Sequence, residues 1–396
     1  MTLAELEEMA TRCNPTLVQA SARVQAARGQ AVQVGLYPNP VAGYLGSEIG
    51  NEKRAGQQGG FVSQEVVTAG KLQLNRAVAS QEIRQAEYVW GAQRFRVLTD
   101  VRRGFYEVLV AQQSMDLSEQ LVRLGEQGVK ATEELMKAKE VARVDLLQAR
   151  IEADSAKILL EKAKNRHTAA WRGLAAVVGN PAMQPAPLTG NLQEGMVQLG
   201  WDETLNRLLS ESPQLAAARA GYARAQAVVN RECAGRYPNV GLQAGVQYDN
   251  ATQDTFASVQ VGVPIPVFNR NQGNIYKAQS ELTAAQREVE RVQLALQQRL
   301  ASVFEQYSTA RQLVEKYHSD MLPNAQESLK LVSSGYRQGE FNYLMLLMAQ
   351  RTYFQTNIAY LDALRDLRIA GVAIEGNLLG DSLQTMEGAE RSSEQK

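Results

Sequence analysis

Cysteine is scarce in this chain, with only Cys13 and Cys233 among 396 residues. Neither has a neighbour at a metal-binding or redox spacing, so they read as incidental thiols, with a disulfide between them the open alternative. Histidine is equally thin, His167 and His318 alone, which leaves no cluster of nitrogen or sulfur ligands and no expected metal site. No run reaches the ~20 apolar residues that a membrane-crossing helix needs. Net charge is also missing: 42 basic and 42 acidic side chains cancel, so nothing global marks a nucleic-acid partner. Gly-rich phosphate loops, zinc-binding helix motifs and nucleophile elbows are absent, so no cofactor is expected and an enzyme is not indicated.

What is present is a doubled pattern, with a period of about 200 residues. Asn14-Pro15 and Ser212-Pro213 each interrupt a helical pattern near the start of a half. Tyr37-Pro38-Asn39 and Tyr237-Pro238-Asn239 each end a helix and open a Gly-rich alternating stretch. The run from Val144 to Arg150 lies opposite that from Leu344 to Gln350. Each half reads as paired short helices, two strands, one very long helix, a turn and a second long helix. The spans expected are 3–36, 40–49, 59–67, 71–123 and 128–178, then 202–236, 239–249, 254–264, 271–321 and 325–376. Two domain-sized repeats, 1–199 and 200–379, are expected, followed by a polar, disordered tail over 380–396. Met1-Thr2-Leu3-Ala4-Glu5 reads as a helix start with a capping box and not as a signal peptide, so any export signal is expected upstream.

The long helices carry a coiled-coil seam. From Ile275 through Leu282, Val289, Leu296, Val303, Ala310 and Tyr317, apolar residues recur in alternating steps of three and four. Two successive fours at Val292, Leu296 and Leu300 make a stutter, which locally unwinds a supercoil. The first half repeats the seam 199 positions earlier, stutter included, at Gln93, Val97 and Val101. On the helices alone, a soluble antiparallel coiled coil fits as well as anything.

The strands separate the classes. Val240, Leu242, Ala244, Val246 and Tyr248 alternate with Gly241, Gln243, Gly245, Gln247 and Asp249, and the next segment behaves alike. Alternation over about ten residues is the signature of a membrane-barrel strand. Surface hairpins with one face under helices are the plainer alternative. Four strands cannot close a barrel, and a sheet in lipid cannot keep open edges. Two copies would give a barrel filled by side chains, whereas three leave room for a lumen.

At this point the residues resemble the TolC-type outer-membrane efflux proteins, over nearly the whole chain. Leu36-Tyr37-Pro38-Asn39-Pro40, Leu322-Pro323-Asn324-Ala325 and Gly335-Tyr336-Arg337-Gln338-Gly339-Glu340 carry the likeness. Val62-Ser63-Gln64-Glu65 through Lys71, and Pro264-Ile265-Pro266-Val267-Phe268-Asn269-Arg270-Asn271-Gln272-Gly273, are similar to the cation-efflux, CzcC-like branch. The resemblance implies a mainly α fold with a β-barrel portion, in which long coiled-coil helices form an α-helical barrel. Four strands per chain would contribute to a twelve-stranded barrel of a homotrimer in the lipid of the outer membrane. It also implies a passive duct, docked on a periplasmic adaptor and an inner-membrane pump. Heavy-metal cations are the cargo that the branch implies.

Two sets of site residues follow. Adaptor contact is expected at turns after the seam helices: Leu124, Gly125 and Glu126, where glycines permit reversal, and Met321, Leu322 and Pro323, where proline interrupts a helix. Beyond them the family can carry an aspartate-tyrosine contact, matched by Asp145 and Tyr336, and an acidic ring, whose positions hold Met345 and Met348 here. A hydrophobic entrance constriction is therefore expected, with Asp145 and Gln148 as its polar rim. Packing of both methionines within the return-helix seam is the alternative, and a thioether metal site has thin support. The competing classes are a soluble coiled-coil scaffold and the periplasmic adaptor of such pumps.

Overall fold

The computed structural model describes residues 1–50, 55–193 and 198–384. The chain opens with α1 (Leu3–Cys13) and α2 (Pro15–Val34), then β1 (Val41–Ser47) and β2 (Gln57–Val66). Two long helices follow, α3 (Lys71–Lys137) and α4 (Arg143–Val178). The second half repeats the order: α5 (Trp201–Glu211), α6 (Pro213–Ala234), β3 (Val240–Asp249), β4 (Asp254–Gly262) and α7 (Gln272–Lys316). A π-turn (Tyr317–Met321) joins α7 to α8 (Leu322–Arg337), and α9 (Tyr343–Glu375) completes the set.

The short helices break where the sequence predicts. Thr2 and Glu5 form the capping box of α1. Asn14 is buried between α1 and α2, and its amide is fully used: Nδ2 donates to the Val177 carbonyl at 2.7 Å while Oδ1 accepts from Thr16. Proline at 15 and 213 then supplies a first helical residue whose N–H is not needed.

The long helices depart from expectation. α3 continues to Lys137 where it was expected to turn at 124–127, and 67 residues at 1.5 Å each make it ~100 Å long. Its second-half counterpart likewise runs on through 321–325, with helical dihedrals at Met321 and Leu322 on either side of the join. Both stutters lie inside unbroken helix. All six of their residues are buried, Gln93 by donating from Nε2 to Thr16 Oγ1 and to the Ser382 carbonyl.

The four strands form one antiparallel sheet in the order β1-β2-β3-β4, so the two halves meet where β2 pairs β3. The register puts Val62, Val66, Leu242, Val246, Val259 and Val261 on one face, and most of these are strongly exposed. Gln57, Ser63, Gln243, Gln247, Ser258 and Gln260 share the other. β1 sorts against its own apparent pattern. Its register with β2 puts Val41, Gly43 and Leu45 on the polar face and Tyr44 on the apolar one, and Phe61 lies over Gly43, where a Cβ would meet its ring at 2.6 Å. The outer strands, β1 and β4, each keep one unpaired edge.

The chain divides into two compact units that cut across the tandem halves. One comprises Met1–Gln19, Gly91–Ser212 and Ala295–Lys396; the other, Ala20–Trp90 and Pro213–Leu294. The core of the first holds Val97, Val101, Val108, Trp171, Leu296, Leu300 and Leu364. At ~1.5–3 kcal/mol for each fully buried large apolar side chain, burial along the seam and against the return helices stabilises this unit. The second unit packs closely through small residues, Ala20, Ala79, Ala220 and Ala278, with Leu215 and Ile275.

The start of the expected tail is ordered. Residues 380–384 are fixed: the buried Asp100 carboxylate accepts the backbone N–H groups of Asp381 at 3.1 Å and Ser382 at 2.6 Å. Residues 385–396, the rest of that expectation, lie outside the described residues.

Candidate functional site: the helical-hairpin turns and the return helices

The reversals of the long hairpins lie at 138–142 and 338–342. Each closes by the same hydrogen-bond pattern, a Schellman motif. In the first, Glu140 N–H reaches the Leu135 carbonyl at 2.9 Å and Lys139 N–H that of Met136; in the second, Glu340 reaches Gly335 at 2.9 Å and Gly339 reaches Tyr336. The pivotal residue is left-handed in both, Lys139 at φ 61° and Gly339 at φ 79°.

Leu124, Gly125 and Glu126 therefore sit within α3. The glycine serves close packing instead of reversal, since a Cβ at Gly125 would lie 3.1 Å from the Ala153 Cα of α4. A Cβ at Gly128 would likewise lie 3.4 Å from the Tyr343 hydroxyl oxygen. Met321, Leu322 and Pro323 sit at the join of the π-turn and α8, where Leu322 N–H bonds the Tyr317 carbonyl five residues back. Pro323 then occupies the first turn of α8.

The return helices start on different caps. Asn342 Oδ1 accepts Met345 N–H at 3.0 Å, whereas Ala142 has no side-chain cap and its own N–H is taken by Asp145 Oδ2 at 3.0 Å. Asp145 is thus held in place by the backbone it caps. Beside it lies Tyr336, whose buried hydroxyl oxygen makes no hydrogen bond of ordinary geometry. Burial raises the Tyr336 pKa, a weak interaction with the Thr132 hydroxyl opposes this, and the Asp145 carboxylate adds to the rise. The Asp145 carboxylate lies within electrostatic reach of Tyr336, and the Tyr343 ring is 6.1 Å from that of Tyr336. Burial also raises the Tyr343 pKa, aided by Tyr336 and Glu152.

Gln148 on α4 is exposed, as are Met345 (45%) and Met348 (61%) on α9, so neither methionine belongs to this chain's own core. Val144, Leu147, Ile151 and Ile158 continue an exposed apolar stripe along α4, at steps of three, four and seven. Sequence reasoning missed the bridge between the return helices: Arg351 of α9 grips Glu152 of α4 through two contacts, 2.5 and 3.3 Å long. Among the described residues no group of three or more His, Cys, Asp or Glu could hold a metal ion. The site can position and exclude; nothing in it activates a nucleophile.

The sequence profile of the outer membrane efflux protein family matches residues 6–180 and again 204–380. The chain is 29% identical over 375 residues to the cobalt-zinc-cadmium resistance protein CzcC of Cupriavidus metallidurans, covering 95% of this chain and 89% of that one. Its fold is similar to solved structures of CusC, at a TM-score of 0.80 and 20% identity over 96% of this chain and 92% of that. It is also similar to VceC of Vibrio cholerae, at 0.77 and 18% over 96% of both.

Proposed function

Since the chain belongs to the outer membrane efflux protein family, we propose that three copies of it close into one passive efflux duct, a channel and not an enzyme. The observation that carries this is the sheet: four strands, apolar on one face and polar on the other, with β1 and β4 unpaired at its edges. In hydrocarbon an unpaired edge costs several kcal/mol per backbone group, so β4 of one copy must meet β1 of the next. Three copies make a twelve-stranded barrel with an open lumen. The exposed apolar stripe on α4 then gains a partner in the neighbouring copy.

The entrance is narrowed by Met345 and Met348, with Asp145 and Gln148 as a polar rim and Tyr336 behind them. The turns at 138–142 and 338–342 present the hairpin ends to a periplasmic adaptor, which links the duct to an inner-membrane pump. Divalent heavy-metal cations are the cargo, a reading supported by the resistance for which the 29% identical relative is named.

Cysteines placed singly in β1 and in β4 of the full chain test the closure. Oxidation should give a covalent three-copy ring and nothing larger; cross-links confined to single chains, or an open ladder, contradict it. For the entrance, Met345→Asp with Met348→Asp should raise both single-channel conductance and cation preference. If both stay at the wild-type level, these methionines do not line it.

A further inference from the structure

The two hairpins of the sheet share one register. Val41 pairs Ser63 in the first and Gly241 pairs Gly262 in the second, so β3 repeats β1 200 positions on and β4 repeats β2 199 positions on. The joint between hairpins, β2 with β3, is therefore a template for the joint that β4 of one copy makes with β1 of the next. Val62 pairs Ala244, Phe61 pairs Gly245 and Ser63 pairs Gln243 in the template. Shifted by 199 and 200, these become Val261 with Tyr44, Gln260 with Leu45 and Gly262 with Gly43. The faces then agree, since Val261 and Tyr44 are both on the apolar side and Gln260 and Leu45 both on the polar side. A slip of one residue would set Tyr44 against Gln260 and mix the faces.

The template also carries a clasp at its lower end. Lys71 Nζ donates to the Tyr237 carbonyl at 2.5 Å and to Asn239 Oδ1 at 2.6 Å. The same shifts turn Lys71 into Arg270, and Tyr237 and Asn239 into Tyr37 and Asn39. Within one chain these groups are idle. Arg270 is exposed, and its one side-chain hydrogen bond among the described residues, from Nε to the Pro266 carbonyl, is 3.3 Å long. The Asn39 side chain is exposed and makes none among the described residues.

From this we infer that the surface joining one copy to the next is a second edition of the β2–β3 joint, with Arg270 of one copy clasping Asn39 and the Tyr37 carbonyl of its neighbour. The inference rests on the three-copy barrel proposed above and fixes its register. The differences between the two joints suit an interface between copies. Glu65 and Thr68, which bond Asn239 and the Pro238 carbonyl in the template, are replaced by Pro264 and Val267. Ile265 and Phe268 beside them are 83% and 91% exposed, as a surface awaiting an apolar partner would be. Permanent interfaces are the more apolar kind, and Arg suits them because its guanidinium is weakly hydrated and presents several donors at once.

Cross-linking in the full chain with Cys13→Ser and Cys233→Ser tests the register. Directly opposite residues lie ~4.5–5.5 Å apart, within reach of a disulfide, whereas β1 and β4 of one chain stand three strand spacings, ~14 Å, apart. Tyr44→Cys with Val261→Cys should close a covalent ring of three. A ring closed instead by Tyr44→Cys with Val259→Cys, or with Val263→Cys, overturns the inference while the barrel stands. No joined chains from any of these would bring down the three-copy barrel, and this inference with it. For the clasp, Arg270→Ala should lower the temperature at which the trimer dissociates in detergent, and Arg270→Lys, which copies the template, should hold it at the wild-type value. An Arg270→Ala trimer as durable as the wild type would mean that no clasp forms.

Discussion

The two long hairpins repeat one another in design and differ in length by a single residue between the seam and the turn. Seam positions of α3 and α7 pair at 199, as Ala79 with Ala278, Val97 with Leu296 and Val108 with Tyr307. Their turns pair at 200, Lys139 with Gly339 and Ala142 with Asn342. An extra residue rotates everything beyond it by ~100°, which would turn the buried stripe of α8 away from α9. The π-turn at Tyr317–Met321 takes up that residue within one wider turn, and the stripe resumes on the same side. α3 has no such turn because it has no such residue. The pair teaches that the facing surface is what the fold holds fixed, while length along the helix is adjustable.

Deleting one residue from each helix tests that comparison most severely. Removal of Gln120 from α3 should swing Gly125 and the rest of its far end off α4, costing roughly 3 kcal/mol or more and unfolding the hairpin. Removal of Ser319 from the π-turn should leave a plain α-helix in register, at a cost under ~1 kcal/mol. Thermal unfolding followed by circular dichroism separates the two, and equal losses would refute an absorbed insertion. Next in size is Gly125→Val, which forces side-chain atoms against Ala153 and should cost about 1–3 kcal/mol in the same assay. The corresponding residue in the second hairpin is already Ala325, so Ala325→Gly should cost only about 1 kcal/mol.

The turns offer a smaller contrast. Lys139 holds a left-handed conformation that costs a side-chain-bearing residue about 1–2 kcal/mol, and Gly339 does not bear that cost. Lys139→Gly should therefore slow hydrogen exchange at the Glu140 amide, and Gly339→Lys should speed it at Glu340. No change in either would mean that the turns are held by something other than their own backbone. Smallest is the pair beside the π-turn. A hydrogen bond from Lys316 and its charge hold the Asp320 carboxyl below the usual range. Their counterparts in α3 are Leu117 and Leu121. Support from this exposed pair should be complete above pH ~4, where an unfolded aspartate is ionised, and fade as the pH falls through the depressed folded value. An Asp320 titration midpoint by NMR at or above that of a free aspartate would dismiss it.

Much of this architecture was legible in the sequence because its signals were periodic. The doubling, the breaks at Asn14-Pro15 and Ser212-Pro213, the stuttered seam and the paired strands all repeat, and a repeated signal checks itself. The turns were misread because glycine serves two ends that look alike in one dimension. Gly125 suggested freedom to reverse, whereas the structure uses it for close approach. Pro323 suggested a stop, yet the π-turn before it and its place in the first turn of α8 let the helix run on. The true reversal at Lys139 carries no glycine, and only its pairing with Gly339 could have located it. At the candidate entrance, Asp145 with Tyr336 was reachable by motif. Glu152 with Arg351 was not, since nothing local links two helices so far apart in sequence. The faces of the sheet lay between these cases: alternation gave the two sets in β3 and β4, but only the register showed that Val41 and Leu45 join the polar one.

The central claim is that one chain cannot seal its own sheet edges in a membrane. Native mass spectrometry of the full chain, released from lipid nanodiscs, tests this most directly. The account expects a single species of three copies that requires lipid or detergent to persist. A single copy, stable in plain buffer and indifferent to bilayers, would contradict it.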